Sequence, residues 1–424
     1  MNRLMSIFRA SFLSLFLALI LTACEQDEAP YPSVKIIGQL AAQIQYGDTL
    51  RIEFEASPIN RYRLHILKGN QIVASSFRVI NQENDRYEVE MLFDDRYLED
   101  GAYDLRISVE NEDKGNSTFH SFTYDGLDLQ WQGFAMLSNQ RLVFVNDQGF
   151  TEREFLLNTP FDRLKISARD SLIYLASLQD GGIEVRHLRD FQLLQSFSAP
   201  LGANLQSYRD FEKSKEGIYL LQNDGFIRYL EGGTLEANQN FNRQGQSYTA
   251  RRGASLSEGL ACIFAYNDGS SPEVHYLNQN LFSLYSRVLS GTRHRLCALD
   301  QERLAIISQK ANGQWSIDRF KGSSQEYSVL QSFSADSVFD LHSIAVDEIV
   351  YSSNTGLYRY DLNASIAPQF IQSGSFHNFQ TRETDQTIFL QKGNLIQALL
   401  LNNNLQFAAS INEPLLDYEI LYNK

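Results

Sequence analysis

Residues 217–232 read GIYLLQNDGFIRYLEG and contain two short apolar segments separated by Asn-Asp-Gly. The second segment alternates apolar and polar residues, as a half-buried strand does. Asn-Asp-Gly between two such segments is typical of a tight turn, because glycine tolerates the positive φ that the turn requires. The stretch therefore predicts a β-hairpin. The same patterning continues from Ser33 onward, with 21 Tyr, 28 Phe and almost no helical periodicity, so the predicted class is all-β.

This hairpin belongs to a series of seven similar repeats that begins near Leu127. The aligned apolar strands follow turns and begin near residues 141, 171, 217, 259, 303, 348 and 387, the first being RLVFVND. The later six repeats each have a preceding strand and a hairpin partner, and a weaker fourth strand usually follows. Four strands every 40 residues or so are typical of a β-propeller. We predict a propeller over residues 127–424 with seven blades, six or eight being the alternatives.

The C-terminal segment Leu415–Tyr422 supplies a candidate for the missing innermost strand of the first repeat. We predict that it pairs into the first blade and closes the ring, because an open ring leaves two long unpaired sheet edges. The alternative is that LQWQGFAML, near Leu129, fills this position and the tail lies elsewhere.

Residues 33–126 form a separate block with seven candidate strands. About 95 residues with seven short strands match an immunoglobulin-type sandwich in size, although the Cys…Trp…Cys core of true immunoglobulin domains is missing. The stretch Leu98-Glu-Asp-Gly-Ala-Tyr103-Asp-Leu-Arg-Ile107 resembles the tyrosine corner of fibronectin type III and related modules. This resemblance implies that the Tyr103 hydroxyl ties its strand to the preceding loop, which is a structural role.

The N-terminus combines Arg3 and Arg9 with a short apolar run that ends at Leu21-Thr-Ala-Cys24. The run is too short to span a membrane as a helix and is typical of an export signal. Its end resembles the lipobox of bacterial lipoproteins. The resemblance implies that residues 1–23 are removed as a signal peptide and that Cys24 carries acyl chains such as palmitate, which anchor the protein in a membrane. The alternative is an ordinary secretory signal with an incidental cysteine.

Residues 24–32 form an acidic tether containing Glu25, Asp27 and Glu28. These acids resemble the signal that directs lipoproteins of the Bacteroidota to the outer face of the outer membrane. The alternative is a solvated, disordered tether, so display on the cell surface or on the periplasmic face stays open. Lipobox, sandwich and divergent propeller together resemble uncharacterised Bacteroidota lipoproteins.

The charge of the chain limits its partners. It contains 37 Lys and Arg against 51 Asp and Glu, a net charge of −14, and removal of Arg3 and Arg9 brings this near −16. With no basic excess to neutralise phosphates, the whole surface is unsuited to nucleic acid or anionic lipid. The expected partners are the membrane, through the lipid anchor, and a protein or a glycan.

The predicted innermost strands nevertheless concentrate cationic residues. We single out Arg209, Arg251, Arg293 and Arg295 as candidates for binding an anionic group, for example a carboxylate or sulfate of a sugar or peptide. The alternative is structural pairing of the inner-strand cations with neighbouring acids such as Asp162, Asp210 and Asp340, or with strand-end carbonyls of adjacent blades.

The sequence contains no recognisable catalytic motif, and we predict neither a cofactor nor a metal. Cys262 and Cys297 lie in apolar segments and are expected to be buried free thiols, a disulfide bridge between them being the alternative. Two functions remain. The first is a non-catalytic binding or scaffold module that uses the propeller face. The second is a propeller enzyme acting on glycans or peptides at the mouth of the central channel, which would need two carboxylates about 5–9 Å apart.

Overall fold

The structure, a computed structural model, describes residues 31–423 except 70, 81–84, 112–113, 178–180, 199–207, 215–216, 223–224, 242–247, 257–258, 267–268, 365, 383–384, 386 and 400–404. The signal peptide, Cys24 and most of the acidic tether therefore lie outside the described residues. All regular elements of the described residues are β-strands, and none of these residues form a helix capable of crossing a membrane. The chain divides between Asp128 and Leu129 into two compact units.

The N-terminal unit is a sandwich of two sheets. Its strands are β1 (Ser33–Ile37), β2 (Gln43–Gln45), β3 (Thr49–Ser57), β4 (Arg61–Lys68), β5 (Gln71–Val79), β6 (Arg86–Leu92), β7 (Gly101–Asn111) and β8 (Lys114–Asp125). One sheet has the order β1-β3-β6 and the other the order β2-β8-β7-β4-β5. All seven predicted strands are present, and β2 is a short additional one that pairs in parallel with β8.

Alternation of buried and exposed residues in β3, β4 and β7 builds the core of this unit. Ile52, Phe54, Leu64 and Ile107 pack in it with no solvent exposure. The buried Tyr103 donates its hydroxyl hydrogen to the carbonyl oxygen of Glu99 at 2.6 Å. This is the hydrogen bond that the tyrosine-corner resemblance implied, so Tyr103 has the predicted structural role.

The C-terminal unit consists of seven four-stranded antiparallel sheets, called blades 1 to 7 here. From the innermost strand outward, blade 1 contains β36 (Leu415–Tyr422), β9 (Trp131–Ser138), β10 (Arg141–Asn146) and β11 (Thr151–Leu156); blade 2 contains β12 (Arg163–Ser167), β13 (Leu172–Ala176), β14 (Gly182–His187) and β15 (Leu193–Ser198); and blade 3 contains β16 (Tyr208–Lys213), β17 (Gly217–Gln222), β18 (Phe226–Glu231) and β19 (Thr234–Asn240).

The remaining blades follow the same order along the chain. Blade 4 contains β20 (Tyr248–Leu256), β21 (Gly259–Tyr266), β22 (Glu273–Asn278) and β23 (Ser283–Val288); blade 5 contains β24 (His294–Ala298), β25 (Arg303–Gln309), β26 (Trp315–Lys321) and β27 (Glu326–Phe333); blade 6 contains β28 (Val338–Ala345), β29 (Glu348–Ser353), β30 (Gly356–Asp361) and β31 (Gln369–Ser373); and blade 7 contains β32 (Phe379–Thr381), β33 (Ile388–Lys392), β34 (Leu395–Leu399) and β35 (Leu405–Ser410).

Seven apolar clusters, one between each pair of neighbouring blades, join these sheets into a ring. The cluster that completes the circle brings Phe389 and Ile396 of blade 7 against Phe134 and Tyr418 of blade 1. The second strands, such as β13 and β17, are buried along their whole length because they have a blade on each side. The C-terminal unit is therefore a seven-bladed β-propeller, as predicted.

The predicted closure by the C-terminal tail is also confirmed. Strand β36 pairs antiparallel with β9, with Tyr418 opposite Met136. The amide side chains of blade 7 hold this strand from the other side, since Gln380 Nε2 donates to the Tyr418 carbonyl at 2.5 Å and Gln391 Nε2 to the Leu415 carbonyl at 2.6 Å. The tail thus links the first and last blades.

One strand assignment in the first repeat was wrong. RLVFVND forms β10, the third strand of blade 1, and LQWQGFAML contributes β9, the second strand, rather than the innermost one. Both segments are continuous apolar runs, so hydrophobicity alone does not rank them. The second strands of blades 1 and 2 begin at Trp131 and Leu172, a spacing of about 41 residues that fits the roughly 40-residue repeat better than the initial alignment.

Candidate functional site

A cavity of about 1010 Å³ lies along the innermost strands and extends to the junction of blades 7 and 1. Its charged lining comes from six segments, namely the innermost strands of blades 1, 2, 3, 4 and 6 with the residues before β36, and the end of β33 in blade 7. The basic members are Arg163, Lys165, Lys213, Arg252 and Lys392, and the acidic members are Asp210, Glu212, Asp340, Glu413, Asp417 and Glu419. The described lining thus contains five Lys or Arg side chains and six Asp or Glu side chains, so basic residues are not in excess.

β-Bulges place several of these side chains. The register of an innermost strand shifts by one residue immediately before Asp210, Arg252, Asp340 and Asp417. A bulge bends its strand and redirects the following side chain. The repeated bulge therefore brings a charged residue of each of four blades to the cavity.

Two of these aspartates connect neighbouring inner strands. Asp417 Oδ2 accepts the backbone N–H of Leu164 at 2.9 Å, and Asp210 Oδ2 accepts that of Gly253 at 3.1 Å. Asp417 also accepts a hydrogen bond from Asn378 Nδ2 at 3.0 Å. Burial raises the pKa of Asp417 above its ordinary value, although Lys165 and Arg163 oppose the shift. These carboxylates are engaged in holding blades together.

The carboxylate of Glu419 lies between two lysines. Its two oxygens are each 3.4 Å from an ammonium nitrogen, one of Lys165 and one of Lys213. Burial by itself would lower the pKa of Lys165, but the surrounding carboxylates, Glu419 foremost, raise it above its ordinary value. Lys165 therefore stays protonated at neutral pH, and Glu419 is held between two basic side chains inside the ring.

Glu212 differs from the other acids of the cavity. No hydrogen bond joins its carboxyl to any of the described residues. Burial, and then repulsion by Asp210, raise its pKa well above the ordinary value despite the opposing charges of Lys165 and Arg252. A Cβ atom at position 253 would lie 2.8 Å from Glu212 Cγ, so glycine at this position leaves room for the glutamate.

The four predicted binding residues occupy different environments. Arg295 reaches the adjacent blade, donating from Nε to the Phe339 carbonyl at 2.5 Å, and burial and Arg252 lower its pKa to about 10. Arg209, Arg251 and Arg293 are exposed and lie on or beside the innermost strands of blades 3, 4 and 5. None of the four belongs to the described cavity lining. Arg295 thus differs from the other three, which are exposed, in its hydrogen bond to the next blade.

Sequence reasoning named Asp210 and Asp340 only as pairing partners, and it missed Glu212, Asp417, Glu419 and Gln380. Their positions on predicted inner strands were the available signal. The sequence does not show which of these residues meet in three dimensions. Asp417 and Leu164, for example, are hydrogen-bonded although they are 253 residues apart.

The remaining titratable groups reveal no metal centre, since the described part of the chain has no cluster of three or more His, Cys, Asp or Glu side chains suited to hold an ion. Cys262 and Cys297 are buried and free, as predicted, and burial raises the pKa of both thiols. Neither thiol is therefore a ready nucleophile or metal ligand.

Comparison with known proteins gives matches among solved structures alone, since no family model and no curated protein matches the chain. A putative 6-phosphogluconolactonase from Bacteroides fragilis has 13% identity and a TM-score of 0.49, over 69% of this chain and 97% of that one. A quinonprotein alcohol dehydrogenase-like protein from Bacteroides thetaiotaomicron has 14% identity and a TM-score of 0.42, over 92% and 97%. The Cps50 β-propeller domain of Myceliophteria thermophila has 9% identity and a TM-score of 0.45, over 60% and 87%.

Proposed function

We propose that this protein is a lipid-anchored component of the cell envelope whose propeller binds a protein or glycan partner without catalysing a reaction. Loops at the faces of a propeller offer a wide surface to such partners. The observation that carries the non-catalytic assignment is the engagement of the cavity acids, since Asp210 and Asp417 accept backbone N–H groups and Glu419 is held by two lysines. Paired hydrolytic carboxyls must instead be available to a substrate.

The ligand-contacting residues in this proposal are Arg209, Arg251 and Arg293. They are exposed on three consecutive blades, and guanidinium groups recognise carboxylate and sulfate through paired hydrogen bonds. Arg295 has a supporting role, because its guanidinium already donates to the carbonyls of Phe339 and His294. The partner class is thus an anionic glycan or an acidic peptide segment.

Retention of the purified protein on immobilised dextran sulfate, with neutral dextran as the reference, tests this assignment. We expect the Arg251→Gln and Arg293→Gln variants to bind several-fold more weakly with unchanged thermal stability, and Arg295→Ala to lose stability. Equal binding to both polymers, or full retention by the double variant Arg251→Gln/Arg293→Gln, would refute the role of these arginines.

The anchor in this proposal is Cys24, acylated after removal of residues 1–23. Support comes from the lipobox resemblance and from the acidic tether behind it. Labelled palmitate should be incorporated by cells making the wild-type protein and not by cells making Cys24→Ala, and the variant should leave the membrane fraction. Protease treatment of intact cells then tells surface display from the periplasmic face of the outer membrane.

For the N-terminal unit we propose an immunoglobulin- or fibronectin type III-like spacer. The two-sheet order and the Tyr103 hydrogen bond support this class. Its role is to hold the propeller away from the lipid surface. Shortening the distance by deleting the unit should reduce capture of a large partner more than capture of a small one.

One observation favours the second candidate, an enzyme acting on glycans or peptides. Glu212 lines the cavity, and its raised pKa is what a general acid requires. Hydrolysis of a glycan or peptide library by the wild-type protein, abolished in Glu212→Gln, would establish the enzyme in place of the binding module.

A further inference from the structure

The solvent-facing side of the five-stranded sheet in the N-terminal unit combines arginines with exposed apolar side chains. Residues that share this side, by strand register, form what we call the Arg–Phe face: Arg61, Arg63, Phe77, Val79, Arg106 and Phe119. Phe77 and Phe119 lie on strands three positions apart, a lateral distance of about 14 Å. The face is therefore wide enough to rest on a planar surface.

The apolar groups of this face are unusually open to solvent. Phe77, Val79 and Phe119 are 56%, 57% and 58% exposed. Each phenyl ring lies near a guanidinium, with 5.3 Å from Arg63 to the Phe77 ring and 5.8 Å from Arg106 to the Phe119 ring. Such pairs keep a cation and a large apolar group side by side at the surface. The arrangement suits a boundary that is anionic outside and apolar beneath.

The chain enters the N-terminal unit through β1 of the three-stranded sheet, and Pro32, just before β1, lies beside one end of the sheet that carries the Arg–Phe face. Asn116 Nδ2 donates to the Pro32 carbonyl at 3.1 Å, and Asn116 is in register with Val109, Tyr62 and Arg78. That row of residues lies between the rows of Phe77 and Val79. Seven residue steps separate Tyr31 from Cys24 and span at most about 25 Å.

Charge is divided between the two sides of the sandwich. The outward positions of β3 and β6 carry Glu53, Glu55, Glu88 and Glu90 against Arg51 and Arg86. On the Arg–Phe face Glu110 contacts both Arg61 and Arg63. Lys35 also lies outward on β1, so that side carries four acids against three cations, whereas the other side carries Arg61, Arg63 and Arg106 against Asp104 and Glu110. The sandwich thus presents a slightly acidic sheet on one side and a slightly basic, partly apolar sheet on the other, although the net charge of the chain is −14.

We propose that the Arg–Phe face lies on the anionic lipid surface next to the anchor. Its guanidiniums bind headgroup phosphates and its phenyl rings enter the boundary between headgroups and acyl chains. The acidic sheet then faces away from the lipid. This inference rests on the proposed lipid anchor, which keeps the face within reach of the membrane and makes a weak contact sufficient.

Cosedimentation with vesicles tests the contact without the anchor. The mature chain with Cys24→Ser carries no acyl group and is mixed with vesicles of phosphatidylethanolamine and phosphatidylglycerol, or of phosphatidylcholine alone. We expect binding to the anionic vesicles, reduced about tenfold in Arg63→Gln/Phe77→Ser. The matched control is Phe282→Ser in the propeller, where Phe282 is 61% exposed.

A second measurement guards against misfolded variants. In Phe77→Trp the new indole should shift its emission to shorter wavelength when anionic vesicles are added. Absence of cosedimentation, an equal loss in Phe282→Ser, or an unshifted indole would each overturn the proposal. Failure of palmitate labelling at Cys24 would instead remove the anchor and leave the vesicle result standing, so the two failures are distinguishable.

Discussion

The innermost strands of the propeller and the five-stranded sheet of the N-terminal unit both carry several cations, but these cations have different neighbours. In the propeller Lys165, Lys213 and Arg295 are engaged by Glu419 or by a carbonyl of the next blade. In the sandwich Arg63 and Arg106 lie at the surface beside exposed phenyl rings. The three-dimensional neighbours of a cation therefore decide whether it joins two blades or lies at the surface beside an exposed ring.

The strongest test of this comparison removes strand β36. A chain ending at Asn412 loses the innermost strand of blade 1 and, with it, Leu415, Tyr418 and Ile420 of the apolar cluster between blades 7 and 1. We expect the propeller to lose its cooperative thermal transition while the sandwich retains its own, as followed by calorimetry and near-ultraviolet circular dichroism. A chain ending at Tyr422 is the control. An intact propeller transition in the shorter chain would contradict ring closure as the source of cooperativity.

A smaller loss is expected from Asp417→Ala. The change leaves the backbone N–H of Leu164 without its acceptor and removes one of the two acceptors of Asn378 Nδ2, which should lower the free energy of unfolding of the propeller by about 3 kcal/mol. Urea denaturation measures this. Asp147→Ala is the matched control, because that side chain is exposed between β10 and β11 and its loss should change stability by less than about 0.5 kcal/mol. Equal effects would argue against a structural role of the inner acids.

Tyr103→Phe probes the other unit. It removes the hydrogen bond from the hydroxyl to the Glu99 carbonyl and should destabilise the sandwich by about 1–2 kcal/mol. In calorimetry the thermal transition of the sandwich should shift to lower temperature, and that of the propeller should stay where it is. Tyr285→Phe in the propeller, at a residue 36% exposed, provides the comparison. Movement of both transitions in Tyr103→Phe would show that the two units unfold together.

The smallest effect, and the most specific, concerns Glu212. Its folded pKa lies above the unfolded value, so the folded state binds more protons and stability falls as the pH rises above about 4.5. Glu212→Gln removes this dependence and should be more stable than the wild type at pH 8, with the difference shrinking as the pH falls towards 4. Urea denaturation across this range measures it. A difference that stays constant with pH would contradict the buried position of the carboxyl.

The all-β class, the seven blades and the closing strand were predictable because apolar alternation and a repeat of roughly 40 residues are local properties of the sequence. The order of β9 and β10 was not, since both are apolar runs of similar length. The concentration of cations on inner strands was also visible, but their partners were not. Asp417 meets Leu164 across 253 residues, and the bulges that aim Asp210 and Arg252 are a property of strand pairing.

The pairing of β36 with β9 also sets an order of events during biosynthesis. The strand that completes blade 1 consists of residues 415–422, whereas its partner β9 begins at Trp131, so β9 keeps an open edge until the six blades between them have been synthesised. A chain that stops just before Leu415 would thus contain every strand of blades 2 to 7 and still leave β9 unpaired, which exposes the chain to proteolysis and aggregation.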